Sequence, residues 1–338
     1  MTIWDSIFIL PSELERIYYL SEKQFPTHDD VLYVLGPCII FLNILKPAER
    51  LTIKEIKEFF GGVGDGDGCI KCDYDNATCS FGVSQASEHG PPPLLVICHH
   101  LMEKLLYDLN LHLDPNTNYM YEGDRDERSD DNRISWALKY CAQPIVLAIT
   151  ENIAPHLHLK EETADLVISY MQEPDKNTVI TNQFFYLMRK FHTAEYYRSV
   201  KLTRLIYTIY ELIGLFLSDG CVCIGADGSL TVSITSVSYS TLFAVRNTLL
   251  RESVILPCRG FKVRHDWGIH RDKGSLQFAM TSGNAYRWLL YMLPGMFSGE
   301  PKCEQAALPA AYYQEWLDNP NSPLVFRLRH AVCMLKHT

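Results

Sequence analysis

The sequence predicts an α/β (α+β) protein made of two similar halves. Three observations carry that prediction. A helix, two strands, a helix, two strands and a helix can be read in residues 51–173 and again in residues 199–338. Each round opens with a helix that runs into Asp-Gly, at Asp67-Gly68 and Asp219-Gly220, which lie 219 − 67 = 152 residues apart. The composition, 47% hydrophobic and 21% charged in 338 residues, supplies core for two such units. Residues 1–50 then stand as an N-terminal extension and 174–198 as a linker.

The extension reads as helical and apolar. Its run "VLYVLGPCIIFLNIL" at 31–45 is short for a membrane span and carries Gly36-Pro37, so a broken core helix is expected. The first half begins at "LTIKEIKEFFGGVGD". Thr52 and Glu55 make a capping box there, and Leu51 with Ile56 a hydrophobic staple. Ile53, Ile56, Phe59, Phe60 and Val63 keep helical spacing. "CIKCDY" and "TCSFGVSQ" read as strands around Asp75-Asn76. "PPPLLVICHHLMEKLLYDL" is a helix, "NYMYEG" and "NRISWALKY" are strands, and "QPIVLAITENIAPHL" and "KEETADLVISYMQ" are helices. The second half repeats the order. A helix over "SVKLTRLIYTIYELIGLFLSDG" leads to strands "CVCIG" and "LTVSITSV" around Asp227-Gly228. "STLFAVRNTLL" is a helix, "FKVRHDWGIH" and "SLQFAMTS" are strands, and "AYRWLLYMLPGMF" is a helix.

Eleven scattered cysteines suit a reducing compartment better than a disulfide framework. Cys69 and Cys72 form a CxxC without a second pair, and strand alternation points them to opposite faces, which argues against zinc. The net charge of −9 is uneven. Residues 1–200 hold 30 acids and 17 Lys and Arg, a net −13, while residues 201–338 hold 10 and 14, a net +4. A nucleic acid is therefore expected to favour the C-terminal half. The start, "MTIWDSIFILPSELER", has no basic n-region and no Arg/Ser-rich leader. Organellar action would need synthesis inside the organelle or an internal signal.

The stretch "FFGGVGDGDGCI" at 59–70 packs five glycines and two aspartates into a helix end. A phosphate loop follows a strand, whereas here a helix comes first. A calcium loop needs a third acid where Cys69 stands. One glycine would make a C-cap; five need another reason. Gly62-x-x-x-Gly66 and Gly214-x-x-x-Ser218 place small residues one turn apart on two helices, which lets their backbones approach closely. Packed side by side, the helices would bring Asp67 and Asp219 together. Two buried acids are costly, and divalent cations would offset that cost and serve phosphodiester chemistry.

Residues 60–68, "FGGVGDGDG", resemble the nine-residue motif of the LAGLIDADG homing endonucleases, with its last acid at Asp67. Residues 212–220, "LIGLFLSDG", resemble a second copy ending in Asp219, with Leu217 in place of the earlier acid. The resemblance covers about residues 52–315. It implies two αββαββα halves that form a saddle, with Mg²⁺ held by Asp67 and Asp219. It also implies a water-positioning Gln85, with Ser236 as its counterpart, and central lysines at Lys160 and Lys302. Double-stranded DNA in the groove would be hydrolysed at a long site.

The charge divides opinion on the partner. In the first half "CIKCDYDNATCSFGVSQ" offers Lys71 alone, and 121–133 is acid-rich. In the second half, Arg259, Lys262, Arg264, Arg271 and Lys273 surround Trp267 and could follow a nucleic-acid backbone or form a solvated hairpin rim. Two functions follow. One is a metal-dependent DNA endonuclease. The other is a retained fold that binds structured RNA or protein inside an organellar assembly such as a mitochondrial ribosome.

Overall fold

The computed structural model describes residues 43–87, 90–125, 134–225, 229–254, 262–266, 275–298 and 300–321. The expected helical extension, the Asp227-Gly228 turn, Arg259, Trp267, Arg271 and Lys273 fall outside the described residues.

The first half begins with α1 (Ile53–Asp65), capped by Thr52 with Glu55 returning to the Thr52 N–H. Leu51 and Ile56 are both fully buried, as a staple requires. Strands β1 (Gly68–Asp73) and β2 (Thr78–Ser87) follow, then α2 (Pro93–Asp108), β3 (Met120–Arg125), β4 (Ile134–Tyr140), α3 (Gln143–Ile153) and α4 (Glu161–Gln172). Proline near the start of α2 and α3 fits positions that need no N–H donor. The linker folds into two helices, α5 (Thr178–Phe191) and α6 (Ala194–Ser199).

The second half holds α7 (Ile209–Asp219), β5 (Gly220–Ile224), β6 (Leu230–Ser236), α8 (Tyr239–Arg251), β7 (Lys262–Asp266), β8 (Ser275–Thr281), α9 (Ser282–Met292) and α10 (Pro301–Asp318). The helix expected over 199–220 is shorter. Thr208 caps α7, with Glu211 completing a capping box, and the chain before it is not helical. The backbone N–H of Tyr207 donates to Thr248 Oγ1 at 2.8 Å, a tertiary contact that replaces a helical turn.

Each half carries an antiparallel four-stranded sheet, ordered β1-β2-β4-β3 and β5-β6-β8-β7. Ile70, Phe81, Val83 and Leu138 bury one face of the first sheet, and Leu230, Val232, Ile234 and Phe278 one face of the second. Helices α1 and α7 form the seam between the halves. Their approach explains the glycines. A Cβ on Gly62 would lie 1.9 Å from the Glu211 carbonyl oxygen, and one on Gly214 would lie 2.3 Å from that of Phe59. Both obstacles are backbone and cannot yield. Phe59, Phe60 and Phe216 close the seam with complete burial, each contributing about 2–3 kcal/mol.

Candidate active site at the end of the paired helices

The ends of α1 and α7 come together just before β1 and β5 begin. Asp67 follows the C-cap Gly66, and Asp219 is the last residue of α7. A Cβ on Gly66 would lie 3.2 Å from Asp219 Oδ2, so the second acid stands directly against the first motif. Asp67 Oδ2 accepts a 3.1 Å hydrogen bond from Gln85 Nε2 at the end of β2. Among the described residues nothing donates to the Asp219 carboxylate.

The electrostatics match the geometry. Burial raises the Asp67 carboxyl pKa, opposed by the Gln85 hydrogen bond and the charges of Lys302 and Lys160. Burial, and next the negative charge of Asp67, push Asp219 up to about 7. Both lysines sit behind them. Lys160 Nζ donates to the carbonyls of Gly64 (2.7 Å), Gly66 (3.0 Å) and Gly68 (2.6 Å). Gly64 and Gly66 are carbonyls that a helix end leaves unpaired, Gly68 opens β1, and a cation there meets the negative end of the helix dipole. Lys302 Nζ does the same for α7, donating to Leu217 O (2.5 Å) and Ser218 O (3.0 Å). An ammonium has three protons. Lys160 has given all three to carbonyls, so it acts through charge. Burial lowers its pKa, while Asp65, Cys69, Asp219 and Asp67 pull it back up.

The five residues expected at the centre (Asp67, Asp219, Gln85, Lys160 and Lys302) thus surround one place. Ser236 lines the same cleft of about 280 Å³ with Asp219, Lys160 and Tyr197. Its hydroxyl accepts the Ser238 N–H at 3.1 Å.

Asp65 has a role the sequence did not reveal. It is almost fully buried, and its carboxylate accepts from the backbone N–H groups of His158 (2.9 Å), Leu159 (2.9 Å) and Lys160 (3.1 Å). It ties the loop before α4 to the motif and thereby aims Lys160. Its side chain is spent on structure, so it is not a further metal ligand.

The open face of the first sheet is less acidic than its sequence suggested. Register pairs Cys69 with Gly82 and Gly82 with Lys139, while Lys71 pairs with Ser80. Exposed Lys71 and Lys139 therefore share a shallow depression of about 80 Å³ with Ser80, Gly82 and Ser84. Lys139 was missed because its face depends on how β4 pairs with β2. In the second sheet Lys262 and Arg264 stand opposite Ala279 and Gln277 on β7. The CxxC divides as expected: Cys69 lines the open face, and Cys72 pairs with Cys79 across the ladder. No helix among the described residues is long and apolar enough to cross a membrane.

No family model matches the sequence, and no curated protein matches it. Solved structures do. The crystal structure of the LAGLIDADG homing endonuclease I-GzeII in complex with its DNA target aligns over 83% of this chain and 97% of that one, with a TM-score of 0.51 and 10% identity. The chain has the LAGLIDADG fold. The LAGLIDADG meganuclease I-AabMI bound to uncleaved DNA aligns over 82% of this chain and 97% of that one, with a TM-score of 0.49 and 11% identity. Within this fold, the paired helix ends of the chain carry Asp67 and Asp219.

The residues fit a hard divalent cation. Two neighbouring, half-buried carboxylates repel, and one lacks any described hydrogen-bond donor, so a cation held by both would relieve them. Among the described residues no group of three or more His, Cys, Asp or Glu is arranged for a metal. Such a site suits a hard ion that keeps waters and takes the rest of its oxygens from a phosphate.

Proposed function

We propose that this chain is a site-specific endonuclease that hydrolyses phosphodiesters of double-stranded DNA with Mg²⁺. The carrying observation is the pair of half-buried carboxylates, Asp67 and Asp219, where two glycine-packed helices end. The two acids would hold the ion. When bound, it supplies Lewis acidity for phosphodiester hydrolysis. Gln85 fixes the rotamer of Asp67 and keeps its own carbonyl oxygen free to accept from a water. Lys160 and Lys302 place positive charge beside the acids and the phosphate. Lys71 and Lys139 on the first sheet, with Lys262 and Arg264 on the second, offer phosphate contacts along the groove.

The DNA bound by I-GzeII supports this choice of partner. The test is incubation of the purified chain with a randomised duplex library and Mg²⁺ at low salt, followed by sequencing of cut ends. Enrichment of one long site, lost in Asp67→Asn, supports the reading. Uncut DNA throughout, with no binding, rejects it.

One observation favours a second reading, a non-cutting subunit of an organellar ribonucleoprotein. The net −13 over residues 1–200 opposes a DNA backbone and suits a protein contact. Co-sedimentation with ribosomal particles from organelles, without nuclease activity, would establish it.

A further inference from the structure

We propose that Tyr197, a linker residue, presents its hydroxyl to the phosphate or water served by Asp219, the task Gln85 performs beside Asp67. The proposal rests on the nuclease reading above. It starts from an asymmetry between two places that the repeat makes equivalent.

Asp67 has Gln85 from the end of β2 as its polar companion, 3.1 Å away. The corresponding strand end, β6, offers Ser236, which has a short side chain already accepting the Ser238 N–H. That leaves the Asp219 side without a long polar arm. The cleft at Asp219 is lined by Lys160, Ser236 and Tyr197 together. Tyr197 is therefore a long hydroxyl-bearing side chain that enters the same cleft from the linker, outside both sheets. No described residue hydrogen-bonds its hydroxyl, and none donates to Asp219.

The linker holds Tyr197 firmly. Thr193 caps α6 by accepting from the Tyr196 N–H. The neighbouring Tyr196 hydroxyl donates to Glu162 Oε2 at 2.5 Å, which ties α6 to the start of α4. Thr203 Oγ1 donates to Glu161 Oε2 at 2.6 Å, fixing the chain beyond α6 to the same helix turn. Two anchors on α4, whose preceding residue is Lys160, set the ring against the cleft wall. Burial, then the nearby Cys69 and Asp65 charges, push the Tyr197 hydroxyl up to about 12. It stays a neutral O–H at physiological pH, able to donate to a phosphate oxygen and accept from a water. A tyrosine kept only for packing would be replaced by phenylalanine without consequence, and this separates the two roles.

The experiment uses the full chain and its selected duplex in a supercoiled plasmid, with each strand's cut followed separately. Tyr197→Phe keeps the ring and removes the hydroxyl. One strand is expected to be cut about 100-fold more slowly, the cost of one lost transition-state donor. The other strand should stay within about threefold of wild type, so nicked circles accumulate. Metal-free binding of the duplex and the thermal midpoint should match wild type. Equal wild-type rates on both strands overturn the proposal and leave the nuclease reading standing. Equal slowing of both strands with a lowered thermal midpoint also overturns it, in favour of packing. A wild-type chain that neither binds nor cuts duplex overturns the nuclease reading, and the proposal falls with it.

Discussion

The two halves solve the same local problems with different residues. Each opens its motif helix with a Thr–Glu capping box. In the first, Glu55 is partly exposed and takes Lys46 Nζ at 3.2 Å; burial raises its pKa, but the hydrogen bonds outweigh it and hold it at about 2. In the second, Glu211 is fully buried. It takes His156 Nδ1 (3.2 Å), His158 Nε2 (3.1 Å) and Arg204 Nη1 (3.3 Å), two of them from the other half. At the far end of the helix the contrast reverses. Asp65 anchors the Lys160 loop of the first half, while Leu217 fills the matching place in the second. There Glu300 caps α10 itself, its side chain accepting from the Cys303 N–H at 2.9 Å, and so places Lys302. The difference teaches that the earlier acid of the motif is a positioning device. A local cap can replace it. The later acids, Asp67 and Asp219, are present in both halves, at the ends of the two paired helices.

The largest effects should fall where the halves are alike. Gly62→Ala and Gly214→Ala each drive a Cβ into the partner's backbone. Both should lose about 4 kcal/mol or more, seen as loss of soluble folded protein or of the melting transition. A well-folded variant at either position would break the symmetric seam.

Next in size are Asp67→Asn and Asp219→Asn. Each should cut cleavage by about 10³-fold or more while leaving the fold intact. Wild-type-like cutting by either would remove the shared-cation site. Stability sharpens this point through pH. The folded pKa of Asp219 is raised from 3.8 to about 7. Between those values the folded state holds a proton that the unfolded state has lost, so stability falls as pH rises through that window. Without added metal, the wild-type melting temperature should drop from pH 4.5 to pH 7.5 by more than that of Asp219→Asn. Mg²⁺ should recover part of the difference, and identical pH profiles would contradict the buried pair.

A smaller effect tests the contrast between anchors. Asp65→Leu copies the second half into the first and leaves three backbone N–H groups without their acceptor. About 2–4 kcal/mol of stability should be lost in urea unfolding. Leu217→Asp, the reverse exchange, buries an acid with no equivalent donors and should cost a similar amount. If Asp65→Leu proves neutral, the anchoring role is wrong.

The smallest effects belong to the open faces. Lys71→Gln and Lys139→Gln should each weaken duplex binding a few-fold and reduce the log–log salt slope by about 1. An unchanged slope would move the DNA off the first sheet.

Much of this architecture was legible in the chain. The capping box at Thr52, the apolar spacing of Phe59, Phe60 and Val63, and the alternation in "TCSFGVSQ" are local signals, and they fold as read. So do Gly62 and Gly214, whose pairing of two small-residue helices announced the seam. Other features were hidden for stated reasons. The segment before Thr208 has apolar spacing that imitates a helix, yet Tyr207 spends its N–H on Thr248, 41 residues away. The anchoring role of Asp65 was hidden because its partners at 158–160 lie more than 90 residues downstream. Lys139 joined Lys71 on the open face only when β4 paired with β2. The orientation of Lys302 depended on the break before α10.

By itself the sequence determined the two repeats, the seam between them and the two acids that end it. Spacing along a helix or strand sets faces and caps within a few residues, and these features need no more than that. Only the tertiary structure decided which acid is consumed as an anchor, which carboxylate lacks a donor, and which lysine has a proton to spare. Those properties belong to hydrogen bonds between segments some 85 to 96 residues apart, and no local pattern records who will meet there.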